Sequence, residues 1–147
     1  MLFNGSFFGT FQHTLDDKNR FKVPAAFREG LGARVYIIKS PDSWTKCLFI
    51  YSEEGWNQLY SQFDNGEVHD QNERRRTRKI LSGVVCCEVD KGGRVTLNAS
   101  LKEYVGVKDE VCIVGNNRHV ELWSLEEWEK ENAEMDEVST DELNIAF

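Results

Sequence analysis

The chain repeats itself. With residue n set against n+74, Gly9 meets Gly83, Leu15 meets Val89, Asp16 meets Asp90, Arg20 meets Arg94, Ala25 meets Ala99 and Phe27 meets Leu101. Farther on the offset becomes 72. There Leu48 meets Val120, Ile50 meets Leu122, Tyr51 meets Trp123, Ser52 meets Ser124, Glu54 meets Glu126 and Trp56 meets Trp128. A two-residue change between the blocks is what a surface loop absorbs. Whatever one unit of about 50 residues forms, the other must form too. A unit that small buries little apolar surface by itself. The two copies are therefore expected to complete one shared, barrel-like core in a single pseudo-symmetric domain. Its expected parts are a first repeat over 5–54, a helical linker over 55–82, a second repeat over 83–126 and an acidic helix and tail over 127–147.

Each unit reads as β-β-α-β-β-α. "TFQHTLD" and "VVCCEVD" are rich in β-formers, and "RFKV" and "RVTL" alternate polar with apolar, the period of a half-buried strand. Pro24 suits the first turn of a short helix in "PAAFREGL", and Asn98 stands at the matching cap position before "ASLKEYV". "RVYIIK" and "EVCIVG", then "CLFIY" and "HVELW", are further strands. Ser52 and Ser124 precede acids in the first turn of the closing helices. Trp56 and Trp128 occupy equivalent sites in those helices and read as core. Between the units, "DQNERRRTRKILSG" has acids early, bases late and Gly83 beyond, which is a helix polarity.

One motif is written twice at the head of each unit: "LDDKNRFKVP" over 15–24 and "VDKGGRVTLN" over 89–98. In both, an Asp and an Arg four residues apart flank a turn. Asp16 and Asp90 are placed to accept backbone N–H groups and stiffen the loop. Asn19 and Gly93 fall where the turn calls for a positive φ. Two readings follow. In one, Asp and Arg merely clasp a hairpin, as surface ion pairs often do at little energetic gain. In the other, the Asp fixes a guanidinium for an anion or a base edge, with Lys18, Arg20 and Lys22 at the first turn and Lys91 and Arg94 at the second.

Charge is segregated. The formal net charge is −7, yet residues 125–147 hold nine acids and one base, whereas the other 124 hold sixteen acids and seventeen bases. The acidity belongs to the tail, so an anionic partner is compatible with the body. The basic run "RRRTRK" over 74–79 puts Arg74 with Arg78, and Arg75 with Lys79, on shared helix faces. It reads as a solvated face, as an extension of a cationic surface, or as a partner for the acidic tail of another subunit. Cys47, Cys86, Cys87 and Cys112 form no CxxC pair, and neighbouring Cys86 and Cys87 point to opposite faces of a strand. Buried thiols are expected, with no metal site. A cysteine-dependent hydrolase using Cys47, which His119 opposes in the repeat, or Cys112 stays open as an alternative; His13 and His69 have no evident nucleophile beside them in sequence. P-loop, GxGxxG and HExxH patterns do not occur. No run reaches the ~18 apolar residues of a membrane helix. No secretory leader is expected from "MLFNGSFFGTFQ", and the expected location is cytoplasmic.

The two DxxxR turns, with "GTFQHTLDDKNRFKVPAAFRE", "NERRRTRKILSG", "VDKGGRVTLNASL" and "VGNNRHVELWSLEEW", resemble the MraZ family of bacterial transcriptional regulators over about residues 5–130. The resemblance implies a mainly β, α+β fold: a double-split or swapped-hairpin β-barrel of the AbrB-like class, with short peripheral helices. It implies a ring-shaped homo-oligomer that binds double-stranded promoter DNA at direct repeats. It implies a nucleoid-associated repressor of its own operon, in the division and cell wall gene cluster, rather than an enzyme, and no cofactor. Carried onto this chain, the DNA-facing residues are Lys18, Arg20 and Lys22 with Lys91 and Arg94, supported by Asp16, Asn19, Asp90 and Gly93. Asn19 stands where the family commonly has glycine.

Overall fold

The structure is a computed structural model that describes residues 6–63 and 70–147. His69 and part of the linker lie outside the described residues. The first unit runs β1 (Phe7–Thr14), β2 (Arg20–Lys22), α1 (Ala25–Leu31), β3 (Arg34–Lys39), β4 (Leu48–Ser52) and α2 (Glu53–Phe63). After α3 (Gln71–Leu81), the second runs β5 (Val85–Glu88), β6 (Arg94–Thr96), α4 (Ala99–Val105), β7 (Glu110–Asn117), β8 (His119–Ser124) and α5 (Leu125–Asp136).

Local signals account for the helix starts. The side chains of Asn98, Ser124, Ser52 and Asp70 accept from the backbone N–H of Leu101, Glu127, Gly55 and Glu73 at 2.8, 3.1, 3.0 and 2.7 Å. Pro24 stands one position earlier than expected, as the cap ahead of α1 with no side-chain bond to give.

The class is α+β with mostly antiparallel strands. Six strands form one sheet in the order β1-β7-β8-β4-β3-β5, and β2 with β6 forms a separate two-stranded ribbon. The expected barrel does not close. Strands β1 and β5 end the sheet on opposite sides, because β2 and β6 pair with each other instead of continuing the ladders of β1 and β5. Single backbone bonds tie those junctions down, Leu15 N–H to Asp109 at 2.7 Å and Val89 N–H to Ala33 at 2.9 Å.

Pairing runs between the repeats. Strand β1 pairs along β7, and β5 along β3. Two pairs sit on the pseudo-twofold axis: Phe21 faces Val95 in the ribbon, and Phe49 faces Glu121 where β4 meets β8. These are the residues that the 74 and 72 offsets make equivalent.

The main core lies between the sheet and the ribbon. Phe21 and Val95 from the ribbon, Phe27 from α1 and Leu101 from α4 pack there against Val35, Ile50, Ile113 and Leu122. Alternate residues of the same strands point to the other face. There Ile38 and Tyr51 are covered by Trp56 of α2 and by α3, and Cys47, Cys112 and Trp123 by α5. Trp56 is buried and Trp128 half-buried, both packed on aromatic neighbours as core residues. Cys87 packs against the main core while Cys86 is exposed. No described helix is long and apolar enough to cross a membrane.

Candidate nucleic-acid interface

The two DxxxR turns are built alike. Asp16 Oδ1 accepts from the N–H of Lys18 at 2.9 Å and of Arg20 at 2.8 Å, and its Oδ2 takes Arg20 Nε at 2.8 Å. Asp90 Oδ1 accepts from Gly92 at 2.9 Å and Arg94 at 2.8 Å, with Arg94 Nε 3.3 Å from Oδ2. Backbone bonds close each turn, Asp16 N–H to Arg20 and Asp90 N–H to Arg94, both 2.9 Å. Asn19 at φ 59° and Gly93 at φ 77° make the left-handed step. Asn enters that region more readily than most side chains.

Each turn is also held by the opposite repeat. The N–H of Val23 donates to Gly93 at 2.8 Å, and that of Leu97 to Asn19 at 2.9 Å. Lys102 of α4 donates to the Asn19 side-chain oxygen at 2.8 Å, and Arg28 of α1 to the Gly92 carbonyl at 2.5 Å. The Arg28 guanidinium lies over Gly93, in the space a side chain there would fill. Arg28 and Lys102 were missed in the sequence reading, although they are partners at the 74 offset and each is the fourth residue of its helix.

Burial of Phe21 and Val95 turns the other ribbon residues outward. Cross-strand neighbours on that outer face are Arg20 with Thr96 and Lys22 with Arg94. Lys18, Lys22 and Lys91 are exposed beside it. Two cations held directly opposite each other, Lys22 and Arg94, repel. The arginines differ. Arg20 lies between Asp16 and, at 4.0 Å, Asp90, with 22 % of its side chain exposed; Arg94 is braced by Asp90 alone, with 40 % exposed. Its guanidinium folds back over Gly92, with Nε 3.1 Å from where a Cβ would stand.

The N–H of Arg20 holds the Asp16 carboxyl below the ordinary carboxylate range, and that of Arg94 does the same for Asp90, each against an opposing effect of burial. A group whose folded pKa is depressed contributes stability above its unfolded value, near 3.9, and loses it as pH falls through the folded value. The amide resonances of Arg20 and Arg94 are therefore expected to hold constant from pH 8 to about 5 and to move only below about pH 4. In Asp16→Asn the acid transition of Arg20 should vanish while that of Arg94 persists. An Arg20 transition near neutral pH would contradict the assignment.

The run "RRRTRK" does not join this surface. Ile80 and Leu81 anchor α3 in the cluster with Ile38 and Trp56, on the sheet face opposite the ribbon. Its side chains therefore cannot extend the ribbon's cationic face within one chain. The Cys47–His119 alternative fares poorly. Burial, and then the Glu121 charge, push the Cys47 thiol far above its ordinary range, so it stays protonated. His119 stacks on Phe49 with centroids 4.0 Å apart and bonds Glu121 at 2.9 Å.

Comparison with known proteins agrees with the sequence motifs. The family described as "MraZ protein, putative antitoxin-like" matches residues 6–79 and again 80–144. A protein of Desulforamulus reducens named transcriptional regulator MraZ is 41 % identical over 128 residues, which cover 87 % of this chain and 88 % of that one. Its namesake from Thermoanaerobacter pseudethanolicus is 37 % identical over 143 residues, covering 93 % of this chain and 98 % of the relative. The namesake from Moorella thermoacetica is 38 % identical over 124 residues, 84 % and 85 % of the two chains. With two matches that together span nearly its whole length, the chain belongs to the MraZ family.

Proposed function

We propose that this protein is a DNA-binding transcriptional regulator that sets the β2–β6 ribbon and its two turns against the major groove. The observation that carries this reading is the like-charge pair Lys22–Arg94 on the outer face of the ribbon. A phosphate between the two bases relieves their repulsion. A two-stranded ribbon fits the major groove. Asp16 bonds Arg20 Nε, and Asp90 stands 4.0 Å from Arg20 Nη1 and 3.3 Å from Arg94 Nε, so Nη2 of Arg20 and both Nη groups of Arg94 remain for base edges, while Lys18, Lys22 and Lys91 serve phosphates. The regulator names of the relatives support the same class.

The finer parts of the proposal come with the family resemblance: repression, direct repeats in the promoter of its own operon in the division and cell wall cluster, a ring-shaped homo-oligomer, and a cytoplasmic location on the nucleoid. Exchange of β1 and β5 between repeats supports an AbrB-like swapped-hairpin kinship. It also supports treating the two repeats as one unit. Footprinting with the purified protein tests the proposal. One protected cluster of direct repeats upstream of the protein's own operon is expected; uniform protection along the genome would overturn it. A smaller effect tests the ribbon face. Lys22→Ala should flatten the slope of log affinity against log salt by about one phosphate contact, close to 0.9. An unchanged slope would remove Lys22 from the contact.

The dense bonding of Asp16 and Asp90 favours a second reading, in which DxxxR only clasps the hairpins of a protein-interaction module. The two readings part at Arg20, whose loss leaves the backbone bonds to Asp16 available.

A further inference from the structure

Helix α3 carries five bases, Arg74, Arg75, Arg76, Arg78 and Lys79, against the single acid Glu73. All five are exposed, and they stand on the sheet face away from the ribbon. The same face bears a cleft between α5 and the β3–β4 loop, with a volume of about 320 Å³, at the small end for a ligand pocket. Trp44, Trp123 and Trp128 line it, together with the carboxylates of Asp42, Glu121 and Glu131. Trp44 is 79 % exposed at its rim.

Glu121 is held by His119, Asn116 and Trp123, whereas among the described residues no base forms a salt bridge with Asp42 or Glu131. Glu121 is buried yet ionised: burial opposes its charge, but bonds from His119, Asn116 and Trp123 outweigh that and bring its pKa below the ordinary value. Glu131 is pushed up, first by burial and then by Glu134, Glu121 and Asp42. Lys130, the one base of α5, turns to Glu126 and Glu127 on its own helix. Among the described residues no cluster of His, Cys, Asp and Glu could hold a metal ion. Indole faces beside carboxylates suit an organic cation, and a planar guanidinium above all.

We propose that this cleft receives an arginine of α3 from a second copy of the chain. The inference rests on the ring-shaped assembly proposed above and names the two surfaces that build it. Within one chain, α3 is anchored beside Trp56 over β3 and β4, whereas the cleft lies beside α5, which packs on β7 and β8. No residue of α3 lines the cleft, and among the described residues none of its bases pairs with the carboxylates there. The contact is thus heterologous: each copy gives its α3 to one neighbour and its cleft to another, which closes into a ring when the rotation allows.

Two variants of the full chain test this, Arg74→Glu with Arg78→Glu on α3, and Trp44→Ala with Glu131→Gln in the cleft. By sedimentation velocity, each alone is expected to run as a single chain at concentrations where the unaltered protein is assembled, with an unchanged circular dichroism spectrum. Should the α3 variant lose helicity, Arg74→Gln with Arg78→Gln takes its place. Mixed in equal amounts, the two variants should form a one-to-one pair and nothing larger, since one intact α3 and one intact cleft remain. Variants that stay assembled, or a mixture that forms no pair, would overturn the proposed contact while leaving the ring standing. If the unaltered protein itself runs as a single chain throughout, the ring reading falls and this contact with it.

Discussion

Replacing Arg20 by alanine is expected to cut affinity for the proposed direct-repeat DNA by about 5- to 150-fold per site, with the circular dichroism spectrum and melting curve nearly unchanged. A lost bidentate base contact is worth about 1–3 kcal/mol, roughly 5- to 150-fold. In the proposed ring, neighbouring subunits on one duplex would compound such losses, because each bound site raises the effective concentration at the next. The fold should tolerate the change: Arg20 packs on the outer face of the ribbon, and Asp16 keeps its bonds to the Lys18 and residue-20 amides. Gel shifts at two salt concentrations, run beside the spectra, check both halves. Full binding by the folded variant would favour the hairpin-clasp reading. Arg94→Ala is expected to cost less, since the second turn carries fewer bases and its guanidinium is braced by one aspartate rather than two.

The largest effect on stability should come from Phe27→Ala. Phe27 is 2 % exposed and meets Phe7 and Phe11 edge to face, with centroids 5.6 and 5.1 Å apart. Truncating a buried phenylalanine costs about 3–5 kcal/mol, transfer and cavity together. For a chain whose whole stability is on the order of 5–15 kcal/mol, that is a large fraction. Urea titration should show the midpoint falling with the slope retained. A loss under about 1 kcal/mol would mean that the site collapses around the gap. Because Phe27 is buried in the core and not on the outer face of the ribbon, DNA affinity should fall no further than the folded fraction does.

Much of this molecule was legible because local signals were written twice. The caps at Asn98, Ser52 and Ser124 and the left-handed steps at Asn19 and Gly93 depend on neighbours within four residues, and sequence spacing reports those directly. Strand partners are another matter. An alternating strand looks the same whichever ladder it joins, so nothing local in "TFQHTLD" announces that β1 would cross to β7 or that the sheet would stay open. Gly115 is a similar case. It reads as an ordinary strand glycine, yet a Cβ there would run into the backbone of Phe7 and Phe8. Arg28 and Lys102 escaped because each holds a turn 64 or 83 residues away. Glu121 reads as a polar strand position; three side-chain donors gathered by the fold let it stay buried and charged.

The axis between the repeats carries unlike residues, Phe21 against Val95 and Phe49 against Glu121. Two identical polypeptides meeting on such an axis would have to set each residue against its own duplicate, carboxylate against carboxylate at the second pair. Fusion into one chain lifts that obligation, and each half can change without its twin. The same licence reaches the turns, where, in the complex proposed above, "DDKNR" and "DKGGR" would offer a duplex two unequal grips. A perfectly symmetric pair of grips reads the same after half a rotation and favours palindromes. Unequal grips would give the molecule a heading along the helix, which is what the proposed head-to-tail sites require of their reader.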